Sequence, residues 1–400
     1  MALPRKLFFQ NVFASGENCI KTMTSRERLN AVLSRKIPDH VPCSPDTSNM
    51  IPARLTKKPF WDFYLYQDPP IWKAYIDCVK YFGFDSLMDG YVSIGFDGLV
   101  LGENPYDGAA IVFQNNERIV TQEYRTANGK RFWANGVTVY FRDNPPSHGV
   151  KPEQIGLPAT PSDFKEIEGV REWPKSGELL SYVKKEMGGH GLVGVSCGTS
   201  SLISTEQDIY DFADNPGAFY KRRDELMSFC EKKFKRLMAL PDRPDFICTG
   251  ASGTLVYQSV DTFRELGLPI VKLVTRFCKE AGIPSHVHSC GPETALVKIC
   301  AEETDLTVID PLEIPPMGDC NLKELKRLYG GRLVLKGNLH TTEIMLNGTP
   351  QDVADAAKRA IDDAAYGGGF ILSTGDQCGR DTPDANIFAM IETAKTYGKY

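Results

Sequence analysis

Long apolar runs are missing from this sequence. No uninterrupted stretch approaches the roughly 20 residues that a membrane-spanning helix needs, so no membrane span is expected. Tracts rich in Lys and Arg are missing too, and the formal net charge is -5, which argues against nucleic acid as the main partner. Near the N-terminus the apolar group Leu7, Phe8 and Phe9 is cut short by Gln10 and Asn11, so a secretory signal is not expected. Eleven cysteines spread over 400 residues do not make a small disulfide scaffold. They read as thiols of a cytoplasmic chain, some of them available as ligands. No Gly-x-Gly-x-x-Gly turn stands between a strand and a helix, which removes the main sign of a doubly wound sheet. What is there is an ordinary globular composition, 42% hydrophobic and 24% charged, with ample length for a large core.

From residue 23 onward the pattern becomes periodic. A helix is expected over 26–33, capped by Thr24 or Ser25, followed by a first strand over 40–45. A helix over 71–82 leads to a second strand over 85–89. Strands then follow over 192–197, 245–249, 284–290, 306–310, 333–338 and 370–374, with helices over 216–240, 261–280, 293–303, 322–329, 350–365 and 385–397 in turn. Eight such strand–helix units predict an α/β fold, a (β/α)8 TIM barrel. Between about 90 and 160 the alternation stops. Strands over 111–118, 120–125, 131–134 and 136–142, with turns at Asn128-Gly129 and Asn135-Gly136, predict an antiparallel β insertion after the second strand. Residues 1–22 show no period and read as an N-terminal extension, leaving 23–400 as a single barrel domain. An aromatic stretch, Phe60, Trp61, Phe63, Tyr64 and Tyr66, is either a substrate lid or a satellite core under a long loop.

The segment 284–291, Pro-Ser-His-Val-His-Ser-Cys-Gly, places His286, His288 and Cys290 at every second position. A strand sends alternate side chains to one face, so two imidazoles and a thiol point the same way. Imidazole nitrogen and thiolate sulfur are preferred zinc ligands. In a TIM barrel the active site lies at the C-terminal strand ends. His288 and Cys290 end the fifth strand and Cys378 follows the eighth, so the three form a candidate zinc site with one position open. His286 lies one pleat deeper, about 6–7 Å along the strand, as a supporting or core residue. The plainer alternative is that His and Cys at the end of a buried strand are only packed and hydrogen-bonded. Asp89, Cys197, Cys248, Asp310 and Asn338 end other strands. Of these, Asp310 and Asn338 are the candidate catalytic residues, placed to orient a ligand or to contact substrate.

A resemblance is carried by His288-Ser-Cys290-Gly291, Lys336-Gly337-Asn338-Leu339, Leu346-Asn-Gly-Thr-Pro350 and Cys378 in its Gly-rich loop. From about Met23 to the end, the chain resembles the uroporphyrinogen decarboxylase superfamily and, within it, the zinc-dependent, corrinoid-linked methyltransferases. The family's zinc pattern is His-x-Cys followed by a distant Cys, which His288, Cys290 and Cys378 fill. The Arg-Gln-Ala-Gly-Arg motif by which the decarboxylases grip substrate carboxylates is absent from the region around 42–50, a departure that favours methyl transfer. The resemblance implies Zn2+ that holds a thiol as thiolate or polarises an ether oxygen. It also implies a corrinoid (cobalamin) cofactor. A small partner protein is expected to carry it, since none of the six His sits in an Asp-x-His-x-x-Gly pattern.

The expected function is zinc-dependent transfer of a methyl group between an aromatic methyl ether and the cobalt of a corrinoid protein. The aromatic stretch favours that substrate, because aromatic side chains at a barrel mouth suit an aryl ether. The alternatives are a methylcobalamin:thiol methyltransferase of the coenzyme M type and a decarboxylase-like lyase. Expected partners are the corrinoid protein and a small-molecule methyl donor or acceptor, with a homodimer as a candidate assembly.

Overall fold

The computed structural model describes residues 22–88, 106–167 and 177–400. The N-terminal extension other than Thr22, and the strand-end residue Asp89, lie outside the described residues. Strands are numbered β1 to β12 along the described chain. Seven of them form one parallel sheet: β1 (Ser86–Met88), β7 (Gly191–Ser196), β8 (Phe246–Cys248), β9 (Ser285–His288), β10 (Val308–Asp310), β11 (Val334–Leu339) and β12 (Phe370–Thr374), each bonded to the next. Residues 41–44 supply the eighth position. On one side the Leu372 N–H donates to Pro42 O (2.9 Å) and the Ser44 N–H to Leu372 O (2.8 Å). On the other the Asp85 N–H donates to Cys43 O (2.8 Å). Pro42 and Pro45 have no N–H to give, so this segment makes a thinner ladder than its neighbours. The sheet closes on itself as the eight-unit alternation predicts.

Alternation along the strands sends Leu87, Leu192, Phe246, Val308, Val334 and Ile371 into the barrel. The helix Ser25–Leu33 lays Leu29, Val32 and Leu33 on this layer and plugs the N-terminal end. Its start is fixed by a capping box between Thr24 and Glu27. The same helix carries Arg28, which is buried and donates to both oxygens of Asp39 (2.7 and 2.9 Å), to Asp85 (2.6 Å) and to the Met23 carbonyl (2.8 Å). One guanidinium therefore ties the plug to the first strand segment and to β1. A larger apolar core lies outside the sheet, where the surrounding helices pack. Among the described residues no helix is long and apolar enough to cross a membrane.

Between β1 and β7 comes the antiparallel insertion, a sheet in the order β5 (Ser147–Val150), β4 (Lys130–Phe141), β3 (Arg118–Ala127), β2 (Gly108–Gln114), β6 (Lys165–Glu166). Asn128 and Gly129 form the tight hairpin turn expected of them, with φ of 51° and 70°. Asn135-Gly136 forms no turn. β4 runs through it, and the register slips between Gln122 and Tyr124 on the facing strand, so the extra length is taken up as a bulge. The other turn sits at 115–117 instead, where Asn115 Oδ1 accepts from the N–H groups of Glu117 and Arg118 (2.9 and 2.8 Å). The single helix expected over 261–280 is two, Val260–Leu266 and Leu268–Ala281. Pro269 cannot donate to the Glu265 carbonyl, and Arg223 takes that acceptor (2.9 Å). The aromatic stretch is mostly a satellite core. Phe60, Phe63 and Tyr64 pack with Ala53, Ile71 and Ala74, while Trp61 and Tyr66 pack against Leu65, Ile111 and Ile119 of the insertion side.

The Arg28 network generates a test. Burial alone would raise the Asp39 carboxyl, but hydrogen bonds from Arg28 and Met23 hold it down to about 2. A folded value below the unfolded one, about 3.9, means that the stabilisation is complete above that pH and fades as pH falls toward 2. Arg28→Met is expected to lose about 3–5 kcal/mol in urea unfolding at neutral pH. Asp39→Asn should flatten the fall in stability between about pH 4 and pH 2. An Arg28→Met chain as stable as the parent would show that the plug is held by apolar contacts alone.

Candidate metal centre

β9 is short and wholly buried, and its register sets the site. His286 pairs with Val308 and His288 with Asp310 across the β9–β10 ladder. His286, His288, Asp310 and Lys336 all lie on the inward face, directly above the apolar layer. Both imidazoles meet one oxygen of Asp310: His286 Nε2 at 2.7 Å and His288 Nδ1 at 3.1 Å. The other oxygen pairs with the Lys336 ammonium. Burial would raise Asp310, yet Lys336 and the two imidazoles outweigh it and hold the carboxyl well below its usual range. His286 behaves oppositely. Burial drives it below its ordinary value in spite of Asp310, so the ring is neutral at neutral pH. Its Nε2–H faces Asp310, which leaves Nδ1 to accept from the Cys248 thiol (3.3 Å). Phe246 meets the same ring edge-on at 6.0 Å.

His288 is the candidate ligand of this pair. Burial works against its charge, but Asp310 and a hydrogen bond with Cys290 lift it well above its ordinary value. With Nδ1 turned to Asp310, Nε2 is the nitrogen on the mouth side, 3.6 Å from Asp376 Oδ1. That arrangement is the usual one for a metal-bound imidazole, one ring nitrogen held by a carboxylate and the other presented to the ion. Ligation requires the Nε2 proton to leave. Cys290 lies two residues past the end of β9, less buried than the strand itself. Cys378 lies four residues past β12, with its N–H on Asp46 O (2.8 Å). Burial and the nearby Asp46 charge push its thiol up to about 12. Asp376, between β12 and Cys378, holds φ at 111°, a conformation that costs of the order of 1–3 kcal/mol and gathers at functional sites.

The three proposed ligands lie at or just past the C-terminal ends of their strands and have the donor chemistry of zinc. Among the described residues no group of three His, Cys, Asp or Glu side chains is drawn together so as to hold a metal ion. The fit is one of donor kind and of position at the C-terminal strand ends. Asn338, near the end of β11, has its Nδ2 spent on the Leu312 carbonyl (3.1 Å). Gly337 before it admits no side chain, since a Cβ there would lie 2.3 Å from Pro311 O. Cys197 does not join the site. It follows β7 with the opposite parity, is fully buried, and donates to Cys230 O (3.6 Å) in the helix Pro216–Met238.

Residues that the sequence pattern did not single out complete the site. Lys336 belongs to a quoted motif, and its alternation with Asn338 is the signal that could have found it. Glu293 and Glu313 brace the two loops above β9 and β10: Leu312 N–H donates to Glu293 and Gly291 N–H to Glu313, both at 2.6 Å. Burial, reinforced by Asp310, pushes the Glu293 carboxyl well above its usual range. Nothing in the text marked it, because a Glu near a helix start reads as an ordinary solvent-facing cap. Asp310→Asn is expected to cost about 3–5 kcal/mol, since it strands the Lys336 charge in the barrel. Adding Lys336→Met should return part of that loss in urea unfolding. Additive losses from the two substitutions would mean that the pair is not coupled.

Residues 248–397 match the uroporphyrinogen decarboxylase (URO-D) family. His288, Cys290, Asp310, Lys336, Asn338 and Cys378 all fall inside that match. The methylcobamide:CoM methyltransferase MtbA of Methanosarcina acetivorans is 31% identical over 135 residues, 34% of this chain and 37% of that protein. The protein of the same name from Methanosarcina mazei is 28% identical over 137 residues, with the same shares. The matched stretch therefore spans little more than a third of the length of these relatives. A solved structure of a methyltransferase from Methanosarcina mazei aligns over 94% of this chain and 99% of its own, with a TM-score of 0.56 at 16% identity. That likeness is one of fold.

Proposed function

With residues 248–397 forming a uroporphyrinogen decarboxylase family region, we propose that the protein is a zinc-dependent methyltransferase. It would move a methyl group between a small substrate and the cobalt of a corrinoid protein. The observation that carries this reading is His288, whose Nδ1 is held by Asp310 (3.1 Å) while Nε2 lies 3.6 Å from Asp376, two residues before Cys378. His288, Cys290 and Cys378 would hold the ion. Zinc bound there supplies a Lewis acid of low net charge, suited to a thiolate or to an ether oxygen.

The chain's own groups do the rest. Asp310 fixes the tautomer and direction of His288, and Lys336 fixes Asp310. His286, neutral and tied to Cys248, keeps that carboxylate from turning. Asn338 is assigned a positioning role through Leu312. Two substrates suit the site. An aromatic methyl ether is favoured by Phe60 and Trp61, which wall a cavity beside the Cys378 loop. A thiol acceptor is favoured by the sequence likeness to methylcobamide:CoM methyltransferases.

Metal analysis tests the first half of the reading. The purified chain is expected to carry zinc in about a one-to-one ratio through the three ligands. Cys290→Ala and Cys378→Ala should lose the metal while circular dichroism stays unchanged. Full zinc retention in either variant removes that residue from the ligand set. Mixing the enzyme with a corrinoid protein and methoxylated aromatics or thiols, and following the cobalt absorbance, tests the second half. Methyl transfer at full rate without any corrinoid would exclude it.

A further inference from the structure

A cavity of about 540 Å³ opens beside the Cys378 loop. Its walls come from three separate parts of the chain: the helix Met50–Thr56 with the turn after it, the end of β4, and the loop two residues past Cys378. The cations Arg54, Lys57, Lys58, Arg142 and Arg380 line it with one carboxylate, Asp143. Three of the cations are engaged: Arg54 with Asp384, Lys58 with Asp68 (2.9 Å) and Arg380 with Asp143 (3.4 Å). Among the described residues Lys57 and Arg142 meet no carboxylate, so the cavity keeps an excess of two positive charges in a chain of net charge -5. Met50, Phe60 and Trp61 form the apolar side of the same space.

We propose that this cavity binds a small organic anion with an aromatic body and holds it next to the Cys378 side of the barrel mouth. Guanidinium and ammonium groups set around a recess concentrate anions and pair with a carboxylate in directed hydrogen bonds. The aromatic wall adds apolar contact that an inorganic ion cannot use. The volume lies within the range of roughly 300–1,000 Å³ common to small-molecule sites. Naming the anion as the methyl-bearing substrate, a methoxylated aromatic acid, rests on the function proposed above; the charge preference of the cavity does not.

Isothermal titration of the full chain, with no corrinoid present, separates the two. The probes are 4-methoxybenzoate, methoxybenzene and inorganic sulfate. The acid is expected to bind about tenfold or more tightly than the neutral ether, and the double variant Lys57→Gln/Arg142→Gln should abolish that difference. Sulfate should displace the acid only weakly. Equal affinity for acid and ether would overturn the proposal. So would an unchanged affinity in the double variant, or sulfate competing as well as the acid itself. A chain that binds the acid as described but moves no methyl group would support the cavity and refute the activity.

Discussion

The barrel is arranged around one buried carboxylate. Asp310 is 1% exposed, and an ionised group at that depth is unfavourable by several kcal/mol unless it is paired and hydrogen-bonded. Here it is satisfied on every side. Lys336 takes one oxygen, and two imidazoles from the neighbouring strand share the other. The pairing works only because β9, β10 and β11 are parallel and in a register that sets His288 beside Asp310. A slip of one residue in any of the three strands would turn that strand's members of the network out of the barrel. The orientation of His288, and with it the direction in which Nε2 points, is a consequence of neutralising Asp310.

The same economy of charge separates the two ends of the barrel. At the N-terminal end the interior is apolar, closed by Leu29, Val32 and Leu33, and the buried cation Arg28 joins structural elements. At the C-terminal end the interior turns polar within one pleat, from Phe246, Val308 and Val334 to Cys248, Asp310 and Lys336. Barrels of this kind keep stability at one face and chemistry at the other. Glu293 and Glu313 mark the boundary, since each holds the backbone of a loop that the polar layer supports.

The insertion takes part in both tasks. Its inner strands bury apolar side chains against the aromatic stretch, which gives residues 60–66 a structural role. Its outer end brings Arg142 and Asp143 to the loop after Cys378. A sheet that reads as an ornament on the barrel thereby supplies part of a cationic recess in an otherwise acidic chain.

Much of the fold was legible in the sequence. Strand–helix alternation over 71–89 and 192–397 and the Asn128-Gly129 turn are local patterns, and local patterns are set by near neighbours in the chain. The candidates His288 and Cys290 were legible for the same reason, at alternate positions of one expected strand, and Cys378 because it follows the last one. Failures came where a local signal had a non-local competitor. Asn135-Gly136 was overridden by pairing along β4, and the helix over 261–280 was broken at Pro269 because Arg223 offered the Glu265 carbonyl another partner. Sequence by itself determined the barrel and its insertion, and it put forward His288, Cys290 and Cys378 as candidate donors. Only tertiary structure decided that Asp310 would face Lys336 and two histidines, that Glu293 would be buried, and that Arg54, Arg142 and Arg380 would share a cavity. Those outcomes depend on which groups are brought within a few ångströms after closure of the sheet, and charge and burial act through that distance rather than through separation along the chain.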